Sequence, residues 1–360
     1  MRNFASMKLS HGIIAAVLAV MCGASAIMAC TSAIIGAGCS ASGRMLLWKH
    51  RDTGTEHSFV AKVEPAGGLE YVALFNGGDS LLREAWVGVN EAGFAVMNTA
   101  SYNLAPDTAL VRDREGIVMS QALGTCRSVA DFDSLLRSLP RPMGVQANFG
   151  VADGMGNGAY FETWDTGFRR IDLAGPDTLL VRTNYSHSGE KDGGFGYIRE
   201  CSALSLLEPM AVSHSATPRA IFDSVSCSFY HSLMGYDPVA ADTCAVWLVD
   251  QDFIPRYSTG ASIIVELPAP GDDPRSAVMW TALGYPPCAE LMRVSVDSIP
   301  GGLSAEGELY RSPVCDRAVE AKHRVFPIER GSGRHYIYLP ELRRMLEEKR
   351  GRSGSLPTRI

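Results

Sequence analysis

The alternation of hydrophobic and polar positions predicts strands in the first half of the chain, then paired helices, then further strands. Apolar runs at 31–37 and 45–50 flank a segment rich in serine and glycine at 40–43, which is typical of a β-hairpin. The segment Asn90-Glu91-Ala92-Gly93 predicts a second tight turn, since asparagine and glycine tolerate turn geometry. The predicted strands are 31–37, 45–50, 70–75, 86–90, 94–98, 148–152, 159–164, 178–183, 245–249, 262–267 and 277–283.

Helical spacing of apolar residues interrupts this pattern in pairs. Helices are predicted at 115–126 and 129–139, the second capped by Ser128. A second helical group is predicted at 203–207 and 218–229, and a charged terminal helix at 340–350. Strands and helices that are grouped in this way indicate an α+β layered fold rather than a βαβ repeat.

The first 29 residues have the features of a secretory leader. Arg2 and Lys8 precede an apolar stretch at 12–20, and small residues at 24–29 lead to a cleavage point between Ala29 and Cys30. We therefore expect residues 1–29 to be a signal peptide and 30–360 to be one catalytic domain that ends in the charged helix. The mature protein is expected to be periplasmic or secreted, without membrane insertion after leader cleavage.

Cys30 has two alternative interpretations. Cleavage before it would create an N-terminal cysteine, in which the thiol is a nucleophile and the α-amino group, with an ordinary pKa of about 7.7–8.0, is a general base. A cysteine behind a leader is also a lipidation site in bacterial lipoproteins, and Cys30 would then anchor a binding protein without enzymatic activity. Met28 fits a lipidation motif poorly, and the chain enters an apolar strand directly after Cys30 instead of a polar tether.

Composition narrows the classes of partner. The chain of 360 residues has a formal net charge of −6, which becomes −8 when Arg2 and Lys8 leave with the leader. This charge argues against nucleic acid as a partner. Eight of the nine cysteines lie at or after Cys30, without CxxC or Cys/His spacing, so no metal site is predicted. The chain also contains no GxSxG, P-loop or HExxH motif.

Polar residues at three strand ends are candidates for the chemistry around Cys30. The predicted hairpin returns Lys49-His50-Arg51-Asp52 towards Cys30, so that Asp52 can orient the amine while Lys49 or Arg51 offsets negative charge. Composition alone favours another interpretation of this cluster, a solvated strand end with surface ion pairs. Asn98 and Asn184 each close a strand, where an amide can stabilise an oxyanion or can simply tolerate a turn.

The order of these motifs resembles a known family. Cys30-Thr31-Ser32, Lys49-His50-Arg51-Asp52, the segment from Val89 to Asn98, and Arg182-Thr183-Asn184-Tyr185 are similar to segments of the N-terminal-nucleophile (Ntn) cysteine hydrolases. The nearest branches are the choloylglycine hydrolase group, which cleaves linear amide C–N bonds, and the acyltransferase-type autoproteolytic hydrolases. The resemblance covers residues 30–184, and segments at 194–199, 257–262 and 279–281 resemble later family segments less specifically.

The resemblance implies a four-layer αββα sandwich that hydrolyses linear amides other than peptide bonds, through a thioester and without a cofactor. It implies roles for Cys30 as nucleophile, Asp52 as partner of the amine, Asn98 and Asn184 as oxyanion donors, and Arg199 as a charge-stabilising residue. Arg182 and Arg219 are alternatives to Arg199. Bile-salt specificity is not implied, because those relatives have Arg-Asn where this chain has Lys49-His50.

The expected partner is a small-molecule N-acyl amide, and transfer of the acyl group to an amine remains an alternative outcome. Lys49, Trp86 and Tyr185 are predicted to bind the substrate. Trp86, Tyr102 and Tyr185 would line an apolar acyl pocket, although each also fits an ordinary core position.

Overall fold

A computed structural model describes residues 29–105, 112–241, 244–329 and 335–353. Residues 1–28 of the predicted leader lie outside the described residues. One six-stranded sheet carries the start of the described chain, and all its neighbouring strands are antiparallel. Its strands in spatial order are β10 (Leu179–Arg182), β1 (Thr31–Ile35), β2 (Leu46–Asp52), β12 (Thr259–Glu266), β13 (Val278–Leu283) and β14 (Met292–Val294).

A second, seven-stranded antiparallel sheet follows the chain order of its strands. They are β3 (Ser58–Val63), β4 (Tyr71–Asn76), β5 (Val87–Asn90), β6 (Ala95–Ala100), β7 (Ala147–Ala152), β8 (Gly158–Trp164) and β9 (Gly167–Asp172). The predicted turn between β5 and β6 is present, with Gly93 at a φ of 74° that favours glycine. The Asn90 side chain accepts hydrogen bonds from the Ala92 and Phe94 amides across this turn.

Six α-helices and a small sheet are further elements of the described chain. The helices are α1 (Glu115–Thr125), α2 (Val129–Ser138), α3 (Tyr197–Val212), α4 (Pro218–Ile221), α5 (Pro313–Val325) and α6 (Leu339–Ser353). The small sheet has the order β11 (Trp247–Val249), β16 (His335–Tyr338) and β15 (Ile328–Glu329). Ser128 caps α2 as predicted, since its side chain accepts a hydrogen bond from the Asp131 amide.

The two large sheets face each other across a shared apolar core. Ile34 of β1 and Leu47 of β2 belong to the same buried cluster as Val72 and Leu74 of β4 and Met97 of β6. Because successive side chains of a strand point to opposite faces, the residues between them point away from this core. One face of each sheet is therefore buried between the sheets and the other is covered by helices.

The outer faces form two further clusters. Ala33 and Trp48, on the opposite face of β1 and β2, pack with Ala203 and Leu207 of α3. Phe149 of the seven-stranded sheet packs in a cluster that holds residues of α1 and α2. Helices thus pack on the outer face of each large sheet, and the predicted α+β fold with antiparallel sheets is confirmed.

Several elements differ from the sequence predictions. Strand β9 was not predicted because it is an edge strand whose side chains are largely exposed and charged, so it lacks an apolar pattern. Helix α3 begins at Tyr197, directly after Gly196, and continues through Pro209, both of which obscured its bounds. The α-helix predicted at 218–229 is wrong in its second half, where α4 passes into a short π-helix at Phe222–Ser226.

Helix α6 contains the predicted charged segment 340–350. Among the described residues, no helix has both the length and the apolar character needed to cross a membrane.

Candidate active site

Cys30 lies at the start of β1, at one end of the six-stranded sheet. The β1–β2 register pairs Thr31 with His50, so the last residues of β2 run alongside Cys30. The thiol is buried, and its Sγ donates to the backbone carbonyl oxygen of Asp52 at 3.6 Å. The predicted hairpin therefore brings Cys30 and Asp52 together.

Both oxygens of the Asp52 carboxylate accept hydrogen bonds from a strand and a loop in the second half of the chain. Thr259 of β12 faces Asp52 in the register, and its Oγ1 donates to Asp52 Oδ1 at 2.7 Å. Arg256, three residues before Thr259, donates from Nε to Asp52 Oδ2 at 2.7 Å and also from Nη2. Although burial opposes it, the Asp52 carboxylate raises the pKa of Arg256 above its ordinary value.

The interpretation of Lys49 to Asp52 as a solvated strand end is wrong. Lys49, His50, Arg51 and Asp52 are all buried, at 1% exposure or less. The pairing of β2 between β1 and β12 covers the backbone, and partners from distant segments cover the side chains. Burial lowers the pKa of His50 to about 4, so this imidazole is neutral near pH 7. Its Nε2 lies 3.2 Å from Thr259 Oγ1.

Arg199 lies in the first turn of α3 and reaches the Ala29–Cys30 peptide. Its Nη1 donates to the carbonyl oxygens of Cys30 at 2.7 Å and Ala29 at 3.1 Å, and to Thr31 Oγ1 at 2.9 Å. Arg256 Nη2 donates to the same Ala29 carbonyl oxygen. Burial lowers the pKa of Arg199 to about 9. Two guanidinium groups thus hold the carbonyl that precedes Cys30.

Asn184 and Asn98 hydrogen-bond to different basic side chains. Asn184 Oδ1 accepts from Arg199 Nη2 at 2.8 Å, and its Nδ2 donates to the Ala100 carbonyl at 3.0 Å. Asn98 Oδ1 accepts from Lys49 Nζ at 2.6 Å. In this arrangement Asn184 orients the arginine that contacts Cys30, whereas Asn98 orients the buried lysine.

The predicted substrate-binding residues occupy two different places. Lys49 Nζ also donates to the Trp86 carbonyl at 2.7 Å, and burial lowers its pKa to about 7. The half-buried Trp86 ring lies 4.9 Å from the Arg51 guanidinium, measured from ring centroid to Cζ. Tyr185 instead stacks on Tyr197 at 4.1 Å between ring centroids, next to Asn184 in the chain.

Sequence reasoning missed Arg256 and Thr259. The segment 257–262 resembled a late family segment, but no local pattern linked it to Asp52. The alternative arginines lie elsewhere: Arg182 pairs with buried Glu162, and Arg219 forms an exposed pair with Asp223. Tyr102 is 40% exposed and packs edge-on against Phe195, so it is not a core residue.

The described part of the chain offers neither a metal centre nor a disulfide at this site. No group of three or more His, Cys, Asp or Glu side chains in it is arranged to hold a metal ion. The eight cysteines from Cys30 onwards, all described, are free thiols. The chemistry available around Cys30 consists of one thiol, one carboxylate, two amides and four basic side chains, of which Lys49, Arg51 and Arg199 are buried and Arg256 is partly buried.

Comparison with known proteins gives likeness in structure only. No protein-family model and no curated protein sequence matches the chain. Among solved structures, the chain is similar to an N-acylethanolamine-hydrolyzing acid amidase ortholog from Caenorhabditis elegans, with a TM-score of 0.43 and 14% identity over 69% of this chain and 98% of that one.

Two bacterial structures are similar to the same degree. One is penicillin V acylase from Agrobacterium tumefaciens, with a TM-score of 0.45 and 12% identity over 75% of this chain and 87% of that one. The other is a mutant of conjugated bile acid hydrolase from Clostridium perfringens, with a TM-score of 0.46 and 10% identity over 75% of this chain and 93% of that one.

Proposed function

We propose that this protein is a hydrolase of linear amides and that Cys30, once it is the N-terminal residue, is its nucleophile. The observation that carries the proposal is the convergence of Arg199 and Arg256 on the Ala29–Cys30 peptide, with Asn184 bonded to Arg199 and Asp52 bonded to Arg256. These residues come from β2, from the segment after β10, from α3 and from the loop before β12. On this proposal the chain is a member of the Ntn cysteine hydrolases, in agreement with the order of its sequence motifs.

The first step is the activation of the Cys30 thiol. Cleavage of the Ala29–Cys30 bond releases an α-amino group on the same residue, with an ordinary pKa of about 7.7–8.0. The free amine takes the thiol proton, and the thiolate attacks the carbonyl carbon of the substrate. The Asp52 carboxylate holds Arg256 beside this amine through two hydrogen bonds, and in this way fixes the charge around it.

The second step is stabilisation of the oxyanion. A substrate carbonyl that occupies the position of the Ala29 carbonyl would accept hydrogen bonds from Arg199 and Arg256. Charged donors that are already fixed in a buried site need little reorganisation when the negative charge develops. Asn184 keeps Arg199 in this orientation through the bond from Nη2 to Oδ1.

The third step completes the reaction. The protonated amine gives its proton to the leaving amine, which departs and leaves a Cys30 thioester. Water then attacks the thioester and releases the acid. If a second amine attacks instead, the same site is an acyltransferase, and the outcome depends on how well the site excludes water.

Export belongs to the same proposal. The leader at 1–29 would direct the chain to the periplasm or to the outside of the cell, and its removal would expose the Cys30 amine. The rival outcome is acylation of Cys30, which would consume the nucleophile and leave an anchored binding protein.

Removal of the thiol tests the proposal. Cys30→Ala is expected to lower amide hydrolysis by at least roughly 10⁴-fold, measured on a panel of N-acyl anilides, because no other group replaces the nucleophile. Cys244→Ala is the matched control, since Cys244 is exposed and has no part in the site. Full activity in Cys30→Ala would exclude the mechanism.

A further inference from the structure

Arg51 has no role in the mechanism, yet it is one of the largest fully buried side chains of the protein. It lies on β2, two residues after Lys49 and four after Leu47. Because side chains alternate along a strand, Arg51 shares the face of Leu47, which forms part of the core between the two sheets. Arg51 therefore points into the space between the sheets, away from the face of β2 that carries Asp52 and His50.

The Arg51 guanidinium is only partly satisfied. Its Nη2 donates to Asn76 Oδ1 at 2.7 Å, and its plane lies near the Trp86 ring. Its Nε and Nη1 are buried, and neither has a hydrogen-bond partner. No carboxylate of the described residues forms an ion pair with Arg51 or with Lys49. A buried cation without a counter-charge is costly, so such an arrangement points to an anion that arrives with a ligand.

Further buried groups around Arg51 favour an anion in the same space. Trp86 Nε1 is also buried and donates to no partner. Lys49 lies on the same face of β2, and its Nζ lies 5.9 Å from the Trp86 ring centroid. Burial lowers the pKa of Arg51 to about 10, and the carboxylate that acts on it, Asp52, is already paired with Arg256 and Thr259. The donors of Arg51 and Trp86 that lack a partner thus have no carboxylate bonded to them among the described residues.

We propose that Arg51, with Trp86 Nε1, binds a carboxylate on the acyl part of the substrate. This inference rests on the proposed function and specifies its substrate class as amides of dicarboxylic acids. The acyl side is chosen because Arg51 is buried between the sheets. The leaving amine must exit before water attacks the thioester, whereas the acyl group stays bound to Cys30 through both steps and can occupy the interior.

The test compares two amides that differ only in the terminal group of the acyl chain, glutaryl-p-nitroanilide and pentanoyl-p-nitroanilide. The wild-type protein is expected to prefer the glutaryl amide in kcat/KM, and Arg51→Met to lower the ratio of the two values on the order of 10²-fold or more. Arg51→Lys is expected to retain part of the preference. Arg219→Met, which removes an exposed arginine, is the matched control and is expected to keep the wild-type ratio.

Three outcomes would overturn the inference while leaving the proposed function intact. The first is a wild-type preference for the pentanoyl amide. The second is an equal loss on both amides in Arg51→Met, which would indicate that Arg51 acts on the Cys30 thiol instead. The third is a higher kcat/KM for pentanoyl-4-aminobenzoate, in which the carboxylate is on the amine side, than for glutaryl-p-nitroanilide.

Failure of the proposed function would look different, because no amide would be cleaved faster than by Cys30→Ala. Calorimetry then tests the inference without turnover. Glutaryl-p-nitroanilide is expected to bind Cys30→Ala at least tenfold more tightly than it binds the variant that also carries Arg51→Met. Equal affinity of the two variants would exclude the carboxylate site. Arg51→Met is expected to fold, since only one hydrogen bond, to Asn76, is lost.

Discussion

Charged and basic residues on the two faces of β2 have different electrostatic environments. On the face towards α3, Asp52 is bonded to Arg256 and Thr259, and Thr259 is in turn bonded to His50. On the face towards the second sheet, Lys49 and Arg51 are buried basic side chains that hydrogen-bond only to neutral partners among the described residues. Side chains that alternate along one strand thus include an ion pair on one face, between Asp52 and Arg256, and no ion pair on the other in the part of the chain that the structure describes.

This difference teaches which charges maintain the fold and which are available for a ligand. A buried ion pair with all its hydrogen bonds made is sensitive to the loss of either member. A buried cation without a counter-charge costs stability. Natural proteins keep such costly features mainly at functional sites. The network around Asp52 therefore belongs to the geometry of the Cys30 site, whereas Arg51 is available to the substrate.

The largest expected effect is on the paired face. Arg256→Met leaves the buried Asp52 carboxylate without its cation, which is expected to cost about 3–5 kcal/mol of unfolding free energy. Chemical denaturation of the wild type and of Arg256→Met measures this loss of unfolding free energy. Arg219→Met is the control, because it breaks an exposed pair with Asp223 and is expected to cost at most about 1 kcal/mol. Similar losses in the two variants would show that the Asp52 network is not a special buried pair.

The next effect is the loss of unfolding free energy at acid pH that His50 causes on the face of β2 towards α3. The pKa of His50 is lowered to about 4 in the folded protein from 6.5 in the unfolded chain. Only the unfolded chain binds this proton between these values, so stability is lost as the pH falls from 6.5 to 4. The loss amounts to roughly 3 kcal/mol, and His50→Asn is expected to remove it.

The quantity to compare is the wild-type minus variant difference across this range. Burial raises the pKa of Asp250 to about 7, which makes stability rise as the pH falls through the same range and masks the His50 contribution in the wild type alone. A difference that does not change with pH would mean that His50 is not buried as a neutral imidazole.

On the face of β2 towards the second sheet, Lys49 is expected to make the free energy of unfolding depend on pH above pH 7. Burial lowers the pKa of Lys49 from 10.5 to about 7, so between these values the unfolded chain keeps a proton that the folded protein has lost. Stability is therefore gained as the pH rises, by up to roughly 2–3 kcal/mol between pH 7 and 9. Lys49→Met is expected to lack this gain in denaturation measured over that range. A wild-type and variant pair with parallel pH dependence would contradict a buried, unpaired Lys49.

Arg51→Met is expected to change stability the least. Arg51→Met replaces an unpaired buried cation by an apolar side chain of similar length, so the lost contacts with Asn76 and Trp86 are offset by the relief of a buried charge. The unfolding free energy is expected to change by no more than about 1 kcal/mol at pH 7. A loss as large as that of Arg256→Met would show that Arg51 has a hidden counter-charge and is part of the fold.

Much of the local structure can be predicted from the sequence, because it depends on neighbours in the chain. The β1–β2 hairpin, the Asn90–Gly93 turn and the Ser128 cap each depend on residues within a few positions of one another. The pairing of Cys30 with Asp52 follows from the hairpin alone. The identification of Arg199, by contrast, required resemblance to a family, since nothing local distinguishes it from Arg182.

The rest of the site depends on contacts between distant segments. Arg256 lies 204 positions from Asp52 in the chain, and it reaches Asp52 only because β12 pairs with β2. The same pairing buries Lys49 to Asp52, a run of charges that composition alone describes as solvated. The partial satisfaction of Arg51 cannot be predicted from sequence at all, because it depends on which side chains fail to reach it.

The intact mass and N-terminal sequence of the protein recovered after export show directly whether Cys30 is an N-terminal nucleophile. We expect a chain that begins with unmodified Cys30, which supplies the thiol and the amine from one residue. A chain in which Cys30 carries lipid, or in which Ala29 still precedes it, would contradict the claim that Cys30 is an N-terminal nucleophile.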